Sequence, residues 1–390
     1  MRIIPLSKMI IMPFIVLILV TPFTRAVEID FNRQIRPILS ENCFQCHGPD
    51  QTHRKGNYRL DTKEGIFAVG KSGSKNILVR DAKNSEFFHR IEATDQAIMP
   101  PIKSGKKLNA DQIKLIQQWI NEGANYGEHW AFVAPKSSAV PAVTNKQWIK
   151  NPIDAFVLNK LDLNNIKPSP QASKEILIRR LTLDLIGLPP SLKEVDDFLR
   201  DDSPEAYEKI VDRLLSSSQY GERMAMQWLD YARFADSNGF QTDSSRSMWP
   251  WRDWVINAYN KNMPFDQFTI EQIAGDMLPN ATKSQIIATG FNRNHRLNGE
   301  GGLIAEEWRI ENVIDRVDTT SQTWLGLTIA CARCHDHKYD PISQKEFYQF
   351  FAFFNNLPES GTLAGNKTGG NTDPVGGEFI SLSACGMPAS

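Results

Sequence analysis

Cysteine spacing is the most informative feature of this 390-residue chain. Four of its five cysteines lie in two copies of the pattern Cys-x-x-Cys-His, at residues 43–47 and 331–335. Two thiols at this spacing can each form a thioether with a vinyl group of haem, and the adjacent histidine can then bind the iron. The pattern therefore predicts two covalently attached haems c. The predicted cofactor-binding residues are Cys43, Cys46 and His47 at the first motif, and Cys331, Cys334 and His335 at the second.

Other uses of paired cysteines explain the pattern less well. A thioredoxin-type redox disulfide does not need a histidine directly after the pair, and no matching strand–helix–strand pattern surrounds it. A closed zinc site needs four ligands, whereas each motif supplies three. A structural disulfide between two such close cysteines is geometrically strained. The fifth cysteine, Cys385, is predicted to be an unpaired thiol without a role.

A haem that only transfers electrons needs a sixth ligand on its iron. Met99 is the candidate for the first haem, because the two prolines that follow it restrict the backbone of its loop. A thioether ligand favours ferrous iron and raises the reduction potential relative to a second histidine. His89 is the alternative to Met99. The predicted iron ligands are His47, Met99 and His335.

The sequence leaves the sixth ligand of the second haem open. His337 is only two residues from His335, so we expect it to bond a haem propionate rather than reach the opposite face of the iron. His295 is the remote histidine that best suits the role. An iron with one open face, able to act on a small molecule, is a further alternative. Three methionines are also candidates: Met277, Met263 and Met248.

The N-terminus has the organisation of a secretory signal peptide. Arg2 and Lys8 form a positively charged region before an apolar run at 9–20, which is short for a bilayer span. Small residues then precede a cleavage position after Ala26. An uncleaved anchor is the alternative. We therefore expect a periplasmic or secreted protein without a transmembrane segment after cleavage. Lys and Arg total 44 against 45 Asp and Glu, and this balance argues against a nucleic-acid partner.

Helical patterns dominate the rest of the chain, and no sustained period-two alternation is present, so the fold class is predicted to be all-α. Asn109 with Gln112 forms a capping box before an apolar stripe, and a long helical stretch at 306–329 leads into the second motif. Carboxylates along that stretch are spaced for ion pairs with nearby arginines such as Arg309 and Arg316. A carboxylate cleft that binds a cation, a substrate or a haem edge is the alternative. The predicted segments are a signal peptide (1–26), a first domain (27–130), a linker (131–147), a second domain (148–357) and a disordered or truncated tail (358–390).

Two family resemblances follow from longer strings. Residues 29–127 resemble the planctomycete-type cytochrome c domain, itself similar to class I cytochromes c, through residues 31–47 and the Met-Pro-Pro at 99–101. Residues 148–357 resemble the second planctomycete-type cytochrome family, a domain of unknown function, through WLDYARFADS at 228–237 and WLGLTIACARCHDHKYDPI at 324–342. The resemblance implies a class I cytochrome c-like domain with one His/Met-ligated haem, followed by a larger helical c-haem domain.

The resemblance also implies a function. It indicates an exported di-haem cytochrome that binds haem and passes electrons to a redox partner protein. The alternative is a haem oxidoreductase that acts on a small molecule or a sugar in a polysaccharide-degrading system, with glycan-degrading proteins as partners. Proteins with this domain pair usually continue into a larger third region. We therefore expect electron transfer rather than catalysis from this chain, and no catalytic residue is assigned.

Overall fold

A computed structural model describes residues 29–51, 53–56, 58–70, 73–241, 243–298 and 303–356. Within these residues the chain forms helices and irregular segments, with isolated β-bridges but no β-strand. The expected all-α fold is confirmed for this part of the chain. The predicted signal peptide, the predicted tail from residue 358 onward and Cys385 lie outside the described residues. None of the described helices is long and apolar enough to span a bilayer.

The chain divides into two compact units between Phe132 and Val133, with the short segment Pro49–His53 grouped with the second unit. Each unit contains its own buried apolar residues. The α-helices of the first unit are α1 (Arg36–Asn42), α2 (Phe44–His47), α3 (Lys63–Ile66), α4 (Glu86–Glu92) and α5 (Ala110–Glu122).

Local signals fix the ends of the helices that frame the first motif. The side chain of Asp30 accepts hydrogen bonds from the backbone N–H groups of Asn32 (2.9 Å) and Arg33 (3.2 Å), which starts a π-helical turn that runs into α1. The predicted capping box of Asn109 and Gln112 is confirmed at the start of α5. Along α5, Ile116, Trp119 and Ile120 are buried, so the amphipathic stripe seen in the sequence faces the core of the first unit.

Ten α-helices make up the described part of the second unit. Capping boxes begin α8, α13 and α15, as their sequences indicate. The helices are α6 (Pro152–Leu163), α7 (Lys174–Ile186), α8 (Leu192–Arg200), α9 (Ala206–Leu215), α10 (Ser218–Tyr231), α11 (Trp249–Asn260), α12 (Phe265–Ala274), α13 (Lys283–Ala288), α14 (Ala305–Thr320) and α15 (Gln344–Phe354).

The approach to the second motif differs from the expected continuous helix at 306–329. Helix α14 ends at Thr320 and continues only as a π-helical turn, Ser321–Leu325. Gly326 then adopts a left-handed conformation (φ 63°), which ends the turn because this backbone geometry cannot continue a right-handed helix. The motif begins in a separate 3₁₀ turn, Ala330–Arg333.

Substitution of Trp119 tests how tightly the core of the first unit is packed. Its side chain is 1% exposed, and its Nε1 donates a hydrogen bond to the backbone oxygen of Asn125 at 3.0 Å. We expect Trp119→Ala to lower the unfolding free energy of this unit by about 3–5 kcal/mol, the usual cost of an aromatic-to-alanine cavity. Native-state hydrogen exchange of the α5 amides measures this change.

Trp130→Ala is the control for that substitution, because Trp130 is 70% exposed. Its effect should stay within about 0.5 kcal/mol, as for most exposed positions. Equal losses in the two variants would contradict the packing described for Trp119.

Candidate haem-binding sites

The first motif sits on a sharp change of direction between two helices. Cys43 lies between α1 and α2 with a non-helical backbone (φ −121°, ψ −38°), and its N–H still donates to the oxygen of Leu39 at 2.8 Å. The backbone N–H groups of Cys46 and His47 both return to the oxygen of Cys43, at 3.0 and 2.9 Å. This tight turn holds the two cysteines and the histidine on one short segment.

A cleft in the first unit brings the predicted haem-binding residues together from distant parts of the sequence. Cys43, His47 and Met99 all line it, although more than fifty residues separate the motif from the methionine. The backbone N–H of Met99 donates to the oxygen of Arg90 at 2.8 Å, which ties the Met-Pro-Pro loop to α4. Apolar side chains that also line the cleft are Leu60, Phe87 and Ile91.

The placement of the remaining candidates favours Met99 as the distal ligand. His89 is exposed on α4 and does not line the cleft, whereas its neighbours Phe87, Phe88 and Ile91 are buried. Cys46 is half-buried on α2, beside the residues that line the cleft. The distal role of Met99 and the thioether roles of Cys43 and Cys46 stay predictions.

Burial shifts the pKa values of two of the predicted haem-binding side chains in this cleft. Burial lowers the pKa of His47, so its imidazole is held in the neutral form that can bind iron. Burial also raises the pKa of Cys43 to about 12. The Nδ1 atom of His47 and the hydroxyl of Tyr58 are both buried without a hydrogen-bond partner. The donor atoms of this cleft and its mainly apolar lining are therefore compatible with a haem.

Tyr58 is a residue of this cleft that the sequence did not single out. Its ring meets the His47 imidazole edge-on, with centroids 5.4 Å apart. The available signal was an aromatic residue in the otherwise polar loop after the first motif, and that signal is too common to identify a site.

The second motif lies near the surface of the second unit. Cys331, Cys334 and His335 are exposed, and Ala332 between them is buried. The Nδ1 of His335 donates to the backbone oxygen of Asp336 at 2.6 Å, which leaves Nε2 with its lone pair free of that bond. A histidine that binds a metal usually donates its other ring N–H in this way. The donor set of this motif is therefore also compatible with a haem.

Neighbouring helices hold the second motif in place. The guanidinium of Arg333 pairs with the carboxylate of Glu311 on α14. The backbone oxygen of Arg333 accepts hydrogen bonds from Gln344 and Tyr348 of α15, each at 3.1 Å. Both bonds attach the motif to the beginning of α15.

The two other candidate histidines of the second unit are already engaged within the protein. His337 is 5% exposed, and its Nδ1 accepts hydrogen bonds from the N–H groups of Tyr339 (3.3 Å) and Asp340 (2.9 Å). His295 donates from Nδ1 to the oxygen of Arg296 (3.0 Å) and accepts at Nε2 from Arg316 (2.9 Å). Both nitrogens of His295 are thus occupied, and this arrangement argues against His295 as the sixth ligand.

The methionine candidates for that ligand lie in different places. Met263 packs partly buried against the core formed by α10–α13, Met277 is 78% exposed, and Met248 precedes α11. In the described part of the chain, no three His, Cys, Asp or Glu side chains cluster as a metal site.

Carboxylates of α14 form ion pairs, in part with arginines that lie outside this helix. Arg233 pairs with Asp318 at 3.2 Å and also with Asp315. These carboxylates therefore bind an arginine of the same chain, which agrees with the ion-pair interpretation of the α14 carboxylates.

Comparison with known families identifies the class of protein. A family model described as Planctomycete cytochrome C matches residues 43–102, so the first unit contains a haem-binding cytochrome domain. A second model, PSCyt2, described as a protein of unknown function (DUF1549), matches residues 152–359. The latter match covers more than half of the chain, and the chain belongs to the PSCyt2 family. The predicted order of the two families is confirmed. No curated protein and no solved structure matches the chain.

His295 generates a prediction about pH. Burial, followed by the nearby Arg316, lowers its pKa from 6.5 to about 3. Between these values the unfolded chain binds a proton that the folded protein does not, so stability falls as the pH falls. The contribution of this group is about 1.4 kcal/mol per pH unit. Urea unfolding of wild type and His295→Gln at several pH values measures it.

Glutamine can accept from Arg316 and donate to Arg296, so the variant keeps both contacts and loses only the titration. Its unfolding free energy should depend less steeply on pH than that of the wild type. His53→Gln is the control, since the His53 side chain is 74% exposed. Parallel pH profiles for wild type and His295→Gln would show that His295 is not buried in the neutral form.

Proposed function

We propose that the protein is an exported di-haem c-type cytochrome that transfers electrons. The observation that carries the proposal is the cleft of the first unit, where Cys43, His47 and Met99 come together. Bound haem supplies one-electron exchange between ferric and ferrous iron. The second haem is proposed from the repeated motif and from the orientation of His335.

The predicted haem-binding residues of the first unit have separate tasks in this proposal. Cys43 and Cys46 attach the porphyrin, while His47 and Met99 bind the iron from two separate segments of the chain. With both positions filled, the iron has no place for substrate or oxygen. Leu60, Phe87 and Ile91 keep water away from the porphyrin, and a low local dielectric together with a thioether ligand raises the reduction potential.

Export and partners complete the proposal. Covalent haem attachment is made outside the cytoplasm, which agrees with the predicted signal peptide at residues 1–26. The periplasm or the extracellular space is therefore the proposed location. A redox protein is the proposed partner, and glycan-degrading proteins are proposed as the system that the electron transfer serves.

The electron count per chain tests the proposal. In a reductive titration, protein matured with haem-attachment machinery should accept two electrons per chain. The double variant Cys331→Ala/Cys334→Ala should accept one, because the second haem is lost. Cys385→Ala is the matched control and should still accept two. One electron in the wild type would restrict the haem to a single unit and refute the di-haem proposal.

Met99→Ala tests the distal ligand. Loss of the thioether should turn the first haem from low-spin to high-spin and lower its reduction potential. Absorption spectra and a potentiometric titration measure the two effects. His89→Ala is the control, since His89 is exposed, and its spectrum should match that of the wild type. An unchanged spectrum in Met99→Ala would exclude Met99 as the ligand.

One observation favours the second candidate function, a haem oxidoreductase. Both ring nitrogens of His295 are engaged, and Nδ1 of His337 accepts two backbone bonds. Without a histidine on its far side, the second iron would have an open face on which a small molecule could react. Cyanide distinguishes the two functions, since a spectral change on its addition favours the enzyme and an unchanged low-spin spectrum favours electron transfer.

A further inference from the structure

The second unit contains a large apolar groove that takes no part in the proposed haem sites. Its walls come from three elements: α12, α15 and the π-helical turn that follows α14. Its volume is about 980 Å³. This is within the range of natural small-molecule sites. We call it the aromatic groove, after five aromatic side chains that line it: Phe265, Trp324, Phe350, Phe353 and Phe354.

Large apolar side chains are exposed together at the aromatic groove, rather than singly on the surface. Phe353 is 73% exposed and Phe265 is 64% exposed, and both line the groove. Trp324 is fixed in the wall, because its Nε1 donates to the hydroxyl of Thr269 at 3.0 Å. It also meets Phe291 edge-on, with centroids 4.5 Å apart. A rigid aromatic wall favours flat rings, which pack edge-to-face or offset against it.

Two side-chain oxygens of residues that line the groove, Oδ1 of Asn292 and the hydroxyl of Thr320, are buried without a hydrogen-bond partner. Asn292 donates from Nδ2 to the backbone oxygens of Gln272 (3.3 Å) and Ile273 (3.2 Å), and this leaves its Oδ1 buried and unpartnered. Thr320 is 7% exposed, and its hydroxyl has no partner. A buried unsatisfied acceptor is costly unless a donor reaches it. The hydroxyl of Thr320 can turn, because a helical threonine populates two χ1 rotamers.

We propose that the aromatic groove binds a flat aromatic molecule that carries a hydroxyl group, of the phenol or naphthol class. The rings pack against Trp324 and Phe353. The ligand hydroxyl donates to Oδ1 of Asn292 and shares a hydrogen bond with Thr320. A plain hydrocarbon would leave Asn292 and Thr320 unsatisfied.

Calorimetric titration of the full chain with two probes tests this site. The probes are 2-naphthol and naphthalene, which share the ring system and differ by one hydroxyl. We expect saturable, one-to-one binding of 2-naphthol that is tighter than the binding of naphthalene. Phe353→Ala should weaken both probes, and the fold should tolerate this change because Phe353 is exposed.

Thr320 provides the specific test of the polar contact. Thr320→Val should weaken 2-naphthol by up to about tenfold, the usual effect of one hydrogen bond, and leave naphthalene unchanged. Thr320→Ser keeps the hydroxyl and should restore the preference for 2-naphthol. In each Thr320 variant, an unchanged affinity for naphthalene shows that the groove is still folded.

Phe156→Ala is the control outside the groove, since Phe156 is a half-exposed aromatic on α6. It should leave the affinity for both probes unchanged. Three results would overturn the proposal: no saturable binding of 2-naphthol, unaltered binding in Phe353→Ala, or equal losses for the two probes in Thr320→Val. None of these readouts depends on haem, so they are independent of the function proposed above.

Discussion

A histidine that directly follows two haem-bound cysteines can reach only one face of the iron. A ligand for the other face must come from a different part of the chain, and the fold has to bring it there. In the arrangement we propose for the first unit, the loop that follows α4 supplies this ligand, Met99. The bond from Met99 to the oxygen of Arg90 fixes the loop, and the cleft between Met99 and His47 is apolar. The Asp30 cap of the turn before α1 and the buried face of α5 belong to the same unit and hold its core together.

Short-range features of the sequence predicted much of this structure. The capping box at Asn109 and the apolar stripe that contains Trp119 determine α5 through contacts between residues a few positions apart. The two Cys-x-x-Cys-His motifs were recognisable for the same reason, since the chemistry resides in the spacing itself. Met99 was singled out from its own neighbours, and the structure places it in the cleft that Cys43 and His47 also line.

Features that depend on distant contacts could not be predicted in this way. The hydrogen bond at Nε2 of His295 comes from Arg316, twenty-one residues away on α14. The role of Tyr58 in the cleft and the walls of the aromatic groove depend on tertiary packing of residues whose local sequences are unremarkable. The early end of α14 had a local signal, Gly326, but apolar periodicity across the same stretch indicated a longer helix.

The covalent attachment of haem at both motifs is the central claim, and peptide mapping tests it most directly. The mature protein would be digested with trypsin, and the peptides that contain Cys43 and Cys331 would be weighed by mass spectrometry. We predict that each peptide carries the added mass of one haem. Unmodified masses for both peptides, from protein produced with haem-attachment machinery, would contradict the account.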